Sequence, residues 1–238
     1  VRVVSLVPSI TETLLAWGVT PVAVTRFCEQ PHLEAVGGTK DPDLDRIVAL
    51  APDVVLMDEE ENRREDHDAL IEAGVGLHVT AVRSIDDVAP TLASIARRVG
   101  VEPPAAPVGA LLPADPPAES VRALTLIWRR PWMALGRATY GSTLLERLGL
   151  GNVVDFDGAD YPELARDELG RVGASTVLLP SEPYPFTQRH VDEVERLAGC
   201  PTVLVDGKDL FWWGVRTAGA AERLRNQLAG VVSSSGRP

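Results

Sequence analysis

"VRVVSLVPSITETLLAWG", Val1 to Gly18, is the stretch on which the fold turns. The run "VRVVSLV" is apolar and β-branched throughout, the composition of a strand buried on both faces. It passes through Pro8 straight into a segment where Leu14, Leu15 and Trp17 share one helical face, ended by Gly18. Ser9 and Glu12 have capping-box spacing at the head of that helix. A buried strand handed directly to a helix opens a βαβ unit. The alternation continues: "PVAVTRF" reads as a strand, "LDRIVALA" as a helix, "PDVVLM" as a strand, "HDALIEAG" as a helix and "VGLHVTA" as a strand. Such a series implies a parallel sheet covered on both faces.

The same order then returns. "VRALTLIW" repeats the opening strand, "STLLERLGL" the first helix, and "NVVDF" takes the place of "PVAVTRF". "LARDELGRVGASTVLLPSEP" parallels "LDRIVALAPDVVLMDEEE", and "VDEVERLAGCPTVLVDG" echoes "HDALIEAGVGLHVTAV". A fixed order repeated with small insertions is the mark of a duplicated lobe. The expected fold is therefore α/β, with two Rossmann-like lobes and parallel sheets, residues 1–83 and 121–238, joined by a backbone helix in a connector over residues 84–120. Ser84 is the expected N-cap of that helix, with Ile85, Val88, Leu92, Ile95 and Val99 at helical spacing. "VEPPAAPVGALLPADPPAES" follows as a stiff, proline-rich segment. "TAGAAERLRNQLAGVV" closes the chain as an amphipathic helix, and "SSSGRP" reads as a disordered tail.

Composition narrows the function. The 238 residues carry a formal charge of −11, which opposes nucleic acid or an anionic membrane as the main partner. No apolar run approaches the roughly 20 residues that span a bilayer. As written the chain reads as cytoplasmic, and as periplasmic or cell-surface if a leader has been removed. The two cysteines, Cys28 and Cys200, fit no redox or zinc spacing and read as small buried thiols, with a single disulfide as the alternative. His32, His67, His78 and His190 show no metal-ligand spacing, so no metal site is expected, and the chain holds no GxSxG, Walker loop or GxGxxG. The only enzyme-like grouping is Glu182, Asp160 and Arg130, and the chain is read as a non-enzyme. Nothing in the sequence demands more than a monomer.

In open parallel sheets, ligands meet the loops at the carboxyl ends of the strands. "WRRPWMALGR", Trp128 to Arg137, leaves the first strand of the second lobe, as "VPSITE" with Ser9 leaves the first strand of the first lobe. "TRFCEQP" with Phe27, "DFDGADYPE" and "LPSEPYPF" are further exits. Their excess of aromatic and cationic residues reads as the lining of a cleft between lobes that grips a large, partly planar or anionic molecule. Trp132, Tyr161 and Tyr184 each flank a proline in a predicted loop and are assigned to the cleft. Trp17 is assigned to the core, and Trp128 suits either place. Trp212 and Trp213 are adjacent in a predicted loop, one packing and one lining. Arg129, Arg130, Arg137 and Arg216 are the candidate cations, two of them meeting ligand.

"VVSLVPSITETLLAWG", "DPDLDRIVALAPDVVL" and "YPELARDELGRVGASTVLLPSEPYPF" together resemble the class III, helical-backbone substrate-binding proteins of ABC importers, and within them the cobalamin-binding branch. The similarity covers nearly the whole chain. It implies two lobes joined by a backbone helix and a corrinoid, haem or ferric chelate as ligand, with no covalent cofactor. Phe27 and Tyr161 match aromatic positions of the cobalamin binders. Thr39 and Asp58 stand where that branch has tryptophans. Asp45 and Asp167 match the acidic residues that dock each lobe to an ABC permease, with Asp in place of the usual Glu. A receptor for a bare transition metal and a cytosolic protein acting on a tetrapyrrole are the alternatives.

Overall fold

A computed structural model describes residues 1–102, 121–154 and 158–234, with side chains to residue 231. Most of the proline-rich connector and the final tail lie outside the described residues, as does "DFD" at residues 155–157. The chain forms two compact units. One is Val1–Val82, Asp87–Ala106 and Trp213–Val215; the other is Arg83–Asp86, Pro107–Trp212 and Arg216–Pro238.

The first unit runs β1 (Val3–Ser5), α1 (Pro8–Ala16), β2 (Ala23–Val24), α2 (Leu44–Ala49), β3 (Val54–Asp58), α3 (Arg64–Glu72), β4 (Leu77–Thr80) and α4 (Val88–Val99). Its four strands lie in the order β2-β1-β3-β4, and all are parallel. The two inner strands are buried at every residue, which is what sequence without period-2 alternation requires. Val4, Val55 and Met57 pack with Ile47 of α2 and Leu70 of α3 to form the core on one face.

Two helix starts differ from expectation. Val7, not Ser9, is the N-cap of α1, and no side chain caps it. Pro8 occupies the first turn, where a missing N–H costs nothing, so the helix begins before the capping-box pair can form. The carbonyl of Val7 accepts instead from Ser5 Oγ at 3.2 Å and Thr11 Oγ1 at 3.1 Å. Ser84 likewise serves a 3-10 turn over Ile85–Asp87, its Oγ accepting from the Asp86 amide at 3.0 Å, and α4 starts after Asp87.

The second unit runs β5 (Val121–Arg129), β6 (Trp132–Ala134), α5 (Tyr140–Arg147), β7 (Leu150–Asn152), β8 (Glu163–Leu164), β9 (Thr176–Pro180), α6 (Gln188–Ala198), β10 (Thr202–Val205), α7 (Gly207–Phe211) and α8 (Thr217–Ser234). The strands β7-β5-β9-β10 are parallel and reproduce the order β2-β1-β3-β4. The repeat in sequence is thus a repeat in topology.

The copy departs from its template in two places. β5 outruns the parallel sheet and turns at Arg130 and Pro131 into an antiparallel hairpin with β6, which pairs in turn with β8. The stretch "WRRPWMALGR", expected as a loop, is therefore mostly strand. The segment "ARDELGR", the counterpart of α2, forms hydrogen-bonded turns rather than an α-helix, with Ala165 and Glu168 carbonyls accepting from Glu168 and Arg171 amides at 3.0 and 2.8 Å.

Candidate functional site

The carboxyl ends of the parallel strands carry the residues of interest in each unit. In the first, Phe27 sits in a 3-10 turn after β2 and is half exposed, at 51%. Arg26 stacks over its ring at 4.9 Å and is itself paired with Asp41 at 2.9 Å. Beneath it, the hydroxyls of Ser5, Thr11 and Thr25 and the Cys28 thiol form a buried cluster. Thr11 Oγ1 donates to Ser5 Oγ at 2.8 Å, and both threonines lie 3.2 Å from Cys28 Sγ. Ser9, also buried, gives its carbonyl to Thr13 Oγ1 at 3.0 Å.

One side chain that the sequence did not single out ties this edge together. Asn62, 7% exposed, donates through Nδ2 to Leu6 O at 3.2 Å and Thr39 O at 3.0 Å, and accepts from the Asp58 amide at 2.9 Å. It joins the exits of β1 and β3 to the loop before α2. Asp58 is 4% exposed and accepts from Thr80 Oγ1 at 2.7 Å and the Glu60 amide at 3.0 Å. Burial pushes its carboxyl above the usual range, and the Thr80 hydrogen bond offsets this only in part. Thr39 and Asp58 thus belong to a polar latch.

The second unit presents aromatic rings. Trp128, on the last turn of β5's pleat before the hairpin, is 41% exposed, and its ring lies 5.5 Å edge-on from Tyr184 of the loop after β9. Tyr184 continues to Phe186 at 4.6 Å and His190 at 5.6 Å. Arg129 sets the base of this group, bound to Glu193 Oε2 through Nε at 3.0 Å and Nη2 at 2.8 Å. Tyr161, after β7, is 39% exposed.

Other candidates fall elsewhere. Trp132 is a core residue at 9% exposure, packed with Leu126, Leu164 and Phe186, because the β6 strand turns it inward. Trp213 is buried in the first unit, where Gly214 at φ 138 lets the chain pass Thr13: a Cβ there would lie 2.4 Å from Thr13 Oγ1. Trp212 is half-buried in the second unit, with Lys208 at 4.9 Å and Arg216 at 5.3 Å from its ring. Arg216 also binds Asp209, a buried carboxylate that Arg223 grips at 2.7 and 2.6 Å. Arg130 is exposed at the hairpin turn, and Arg137 donates to Asn152 O at 3.1 Å. Asp45 is exposed in the first turn of α2; Asp167 is exposed and pairs with Arg171 at 2.7 Å.

Asp160 is bound by Arg83 at 2.9 Å, and the Glu182 backbone lies against Gly207, where a Cβ would come within 2.6 Å of Glu182 N. His67 pairs with Asp68, His78 lies on β4, and His190 caps α6, while no group of three His, Cys, Asp or Glu among the described residues is placed to hold a metal. Cys28 and Cys200 are free thiols, and burial pushes the Cys200 thiol up. Among the described residues no helix is long and apolar enough to cross a membrane.

The family model for periplasmic binding proteins matches residues 3–175. The chain belongs to the periplasmic binding protein family. Members of this family bind substrates and are not enzymes. The vitamin B12-binding protein of Pectobacterium carotovorum subsp. carotovorum is 24% identical over 98% of this chain and 90% of its own length. The vitamin B12-binding protein of Salmonella choleraesuis is 32% identical over 40% of this chain, a segment that spans 37% of that protein. Among solved structures, the periplasmic vitamin B12-binding protein of Vibrio cholerae has a TM-score of 0.75 at 15% identity, covering 99% of this chain and 98% of that one. The periplasmic haem-binding protein of Roseiflexus sp. RS-1 has a TM-score of 0.78 at 23% identity, covering 96% and 98%. These likenesses make the α/β lobes those of a periplasmic binding protein.

Proposed function

We propose that this periplasmic binding protein holds a corrinoid of the cobalamin class for uptake by an ABC permease, with haem or a ferric chelate as the alternative ligands. The observation that carries the reading is where the exposed aromatic residues stand. Of the large apolar side chains left exposed, the aromatic ones among the described residues are Phe27, just after the parallel strand β2, Trp128, where β5 runs on past its parallel pairing, and Tyr161, between β7 and β8. Aromatic faces on a ligand edge suit a large planar chelate, and guanidinium groups such as Arg129, Arg130 and Arg137 suit its anionic substituents. The relatives named vitamin B12-binding protein support cobalamin as the first choice.

The burial of Trp132 and Trp213 moves the expected contacts to Phe27, Trp128, Tyr161 and Tyr184, with the half-buried Trp212 and Arg216 kept as candidates. Asp45 and Asp167 remain the proposed docking acids for the permease, both exposed as that role requires. The family supports a periplasmic or cell-surface setting over the cytoplasmic one, and the protein is proposed to act as a monomer.

Tryptophan fluorescence titrated with cobalamin, cobinamide, haem and ferric chelates tests the reading. Saturable quenching by cobalamin at about micromolar concentration, a binding energy of about 8 kcal/mol, is expected, and Trp128→Ala should abolish most of it. Binding of haem alone would transfer the assignment to the alternative. Flat responses throughout would end the chelate reading.

A further inference from the structure

We propose that His190 is a positioning residue for the ligand-facing pair Trp128 and Tyr184: as a neutral ring it props Tyr184 edge-on against Trp128, and protonation in acid withdraws the prop. The inference rests on the chelate-binding role given to those two aromatics.

The geometry is specific. His190 is 3% exposed, at the third position of α6, and completes a capping box: the Thr187 amide donates to its Nδ1 at 2.9 Å while the Thr187 side chain faces the His190 backbone amide. Its ring meets Tyr184 at 5.6 Å and Phe186 at 5.5 Å, both edge-on. Tyr184 then meets Trp128 at 5.5 Å. The loop itself adds a tight turn, with the Phe186 amide donating to Tyr184 O at 2.7 Å. Tyr184 is half-buried between two prolines of an exposed loop; Phe186, the core of the second unit and a hydrogen bond with Arg129 support it, and the imidazole adds an edge contact beside them.

Protonation changes the ring at Nδ1, the nitrogen that accepts from the Thr187 amide. Nδ1 receives the Thr187 amide, and Arg189 Nε lies 3.3 Å from Nε2. With Nδ1 accepting from the amide, the neutral ring carries its hydrogen on Nε2; protonation adds a second at Nδ1, where the Thr187 amide is a donor and the Thr187 hydroxyl, 3.3 Å away, is the other partner. The surrounding charges agree: Arg189 and Glu193 face the ring from α6, Arg129 from β5, and Thr187 and Tyr184 from the loop, and Glu193 is already committed to Arg129. Burial first, and then the two guanidinium groups, hold the His190 pKa below the usual value. Acid therefore removes the acceptor used by the Thr187 amide, and the ring is expected to shift from its contact with Tyr184.

The ligand-free protein carries the decisive test. Nitrogen NMR of labelled protein between about pH 7.5 and 5 follows the His190 tautomer, and the emission difference between wild type and Trp128→Phe follows Trp128. The expected result is an unprotonated Nδ1 at neutral pH and a Trp128 signal that moves with the His190 titration. His190→Gln keeps a capping acceptor and loses the ring. It should melt near the wild type, shift Trp128 emission toward that of a solvent-exposed indole, remove its pH dependence, and weaken cobalamin binding about tenfold. His190→Phe keeps the ring and loses the acceptor, so it should retain the Trp128 emission without its pH dependence. Wild-type Trp128 emission in His190→Gln, or a flat Trp128 signal while His190 titrates, overturns the proposal. If no chelate binds the wild type, the ligand reading fails, while the ligand-free signals still decide the role of His190.

Discussion

The two units share one parallel core and dress its carboxyl edge differently. In the first, a polar latch of Asn62, Asp58 and Thr80 closes the strand exits and leaves Phe27 as the exposed ring. In the second, Trp128, Tyr184, Phe186 and His190 form a line of rings, and the added hairpin buries Trp132 behind it. Topology is set by where apolar strands and helices alternate, and both copies keep that pattern. The edge is under no such constraint, so the copies can diverge there.

The sharpest way to separate the units is ionic. Asp209 is 4% exposed and held by Arg216 and Arg223 in the second unit. Asp209→Ala leaves the half-buried Arg216 without its carboxylate and should cost about 3 kcal/mol in chemical denaturation, less than a fully buried pair because Arg223 is half exposed.

A buried asparagine latches each edge. Asn62 serves the first unit; Asn152 serves the second, donating to Leu135 O at 2.8 Å and accepting from the Val154 amide at 2.9 Å. Replacing either with Ala orphans buried backbone groups and should cost about 2 kcal/mol. The two have no common hydrogen-bond partner, so the double variant should lose the sum, and a shortfall would show that the latches are coupled.

Function should weigh the units unequally. Trp128→Ala is expected to weaken chelate binding about tenfold with little loss of stability, and Phe27→Ala less, since the Trp128 ring is ordered by Tyr184 while Phe27 stacks only on the exposed Arg26 among the described residues. Equal losses in a fluorescence or calorimetric titration would erase the proposed asymmetry.

The smallest effects concern pH, and they run in opposite directions. The Asp58 pKa is raised by burial, so its contribution is fully present below its ordinary value near 3.8 and is lost as pH rises through the folded value. Asp58→Asn should therefore gain on the wild type in thermal stability between about pH 4 and 7. The His190 pKa is lowered, so its contribution is present above the ordinary value near 6.5 and is lost as pH falls through the folded one. His78, half-buried on β4 with Arg98 and Arg97 nearby, shares that sign. If Asp58→Asn leaves the pH profile unchanged, the latch holds its carboxyl without cost.

The sequence by itself determined the parallel core and its duplication, because burial on both faces leaves a continuous apolar strand and helix periodicity leaves its own mark. It also placed Phe27, Tyr161 and Tyr184 at the strand exits. Only the tertiary structure decided which aromatic ring is wet. Trp132 lies next to Pro131 just as a loop residue would, yet the pairing of β6 with β5 and β8 turns it into the core and leaves Trp128 outside. Asn62 and His190 were equally hidden. Their importance comes from partners that the chain brings together by folding, such as Leu6 and Thr39 around Asn62 or the Tyr184–Trp128 contact beyond His190, and no local spacing records those contacts.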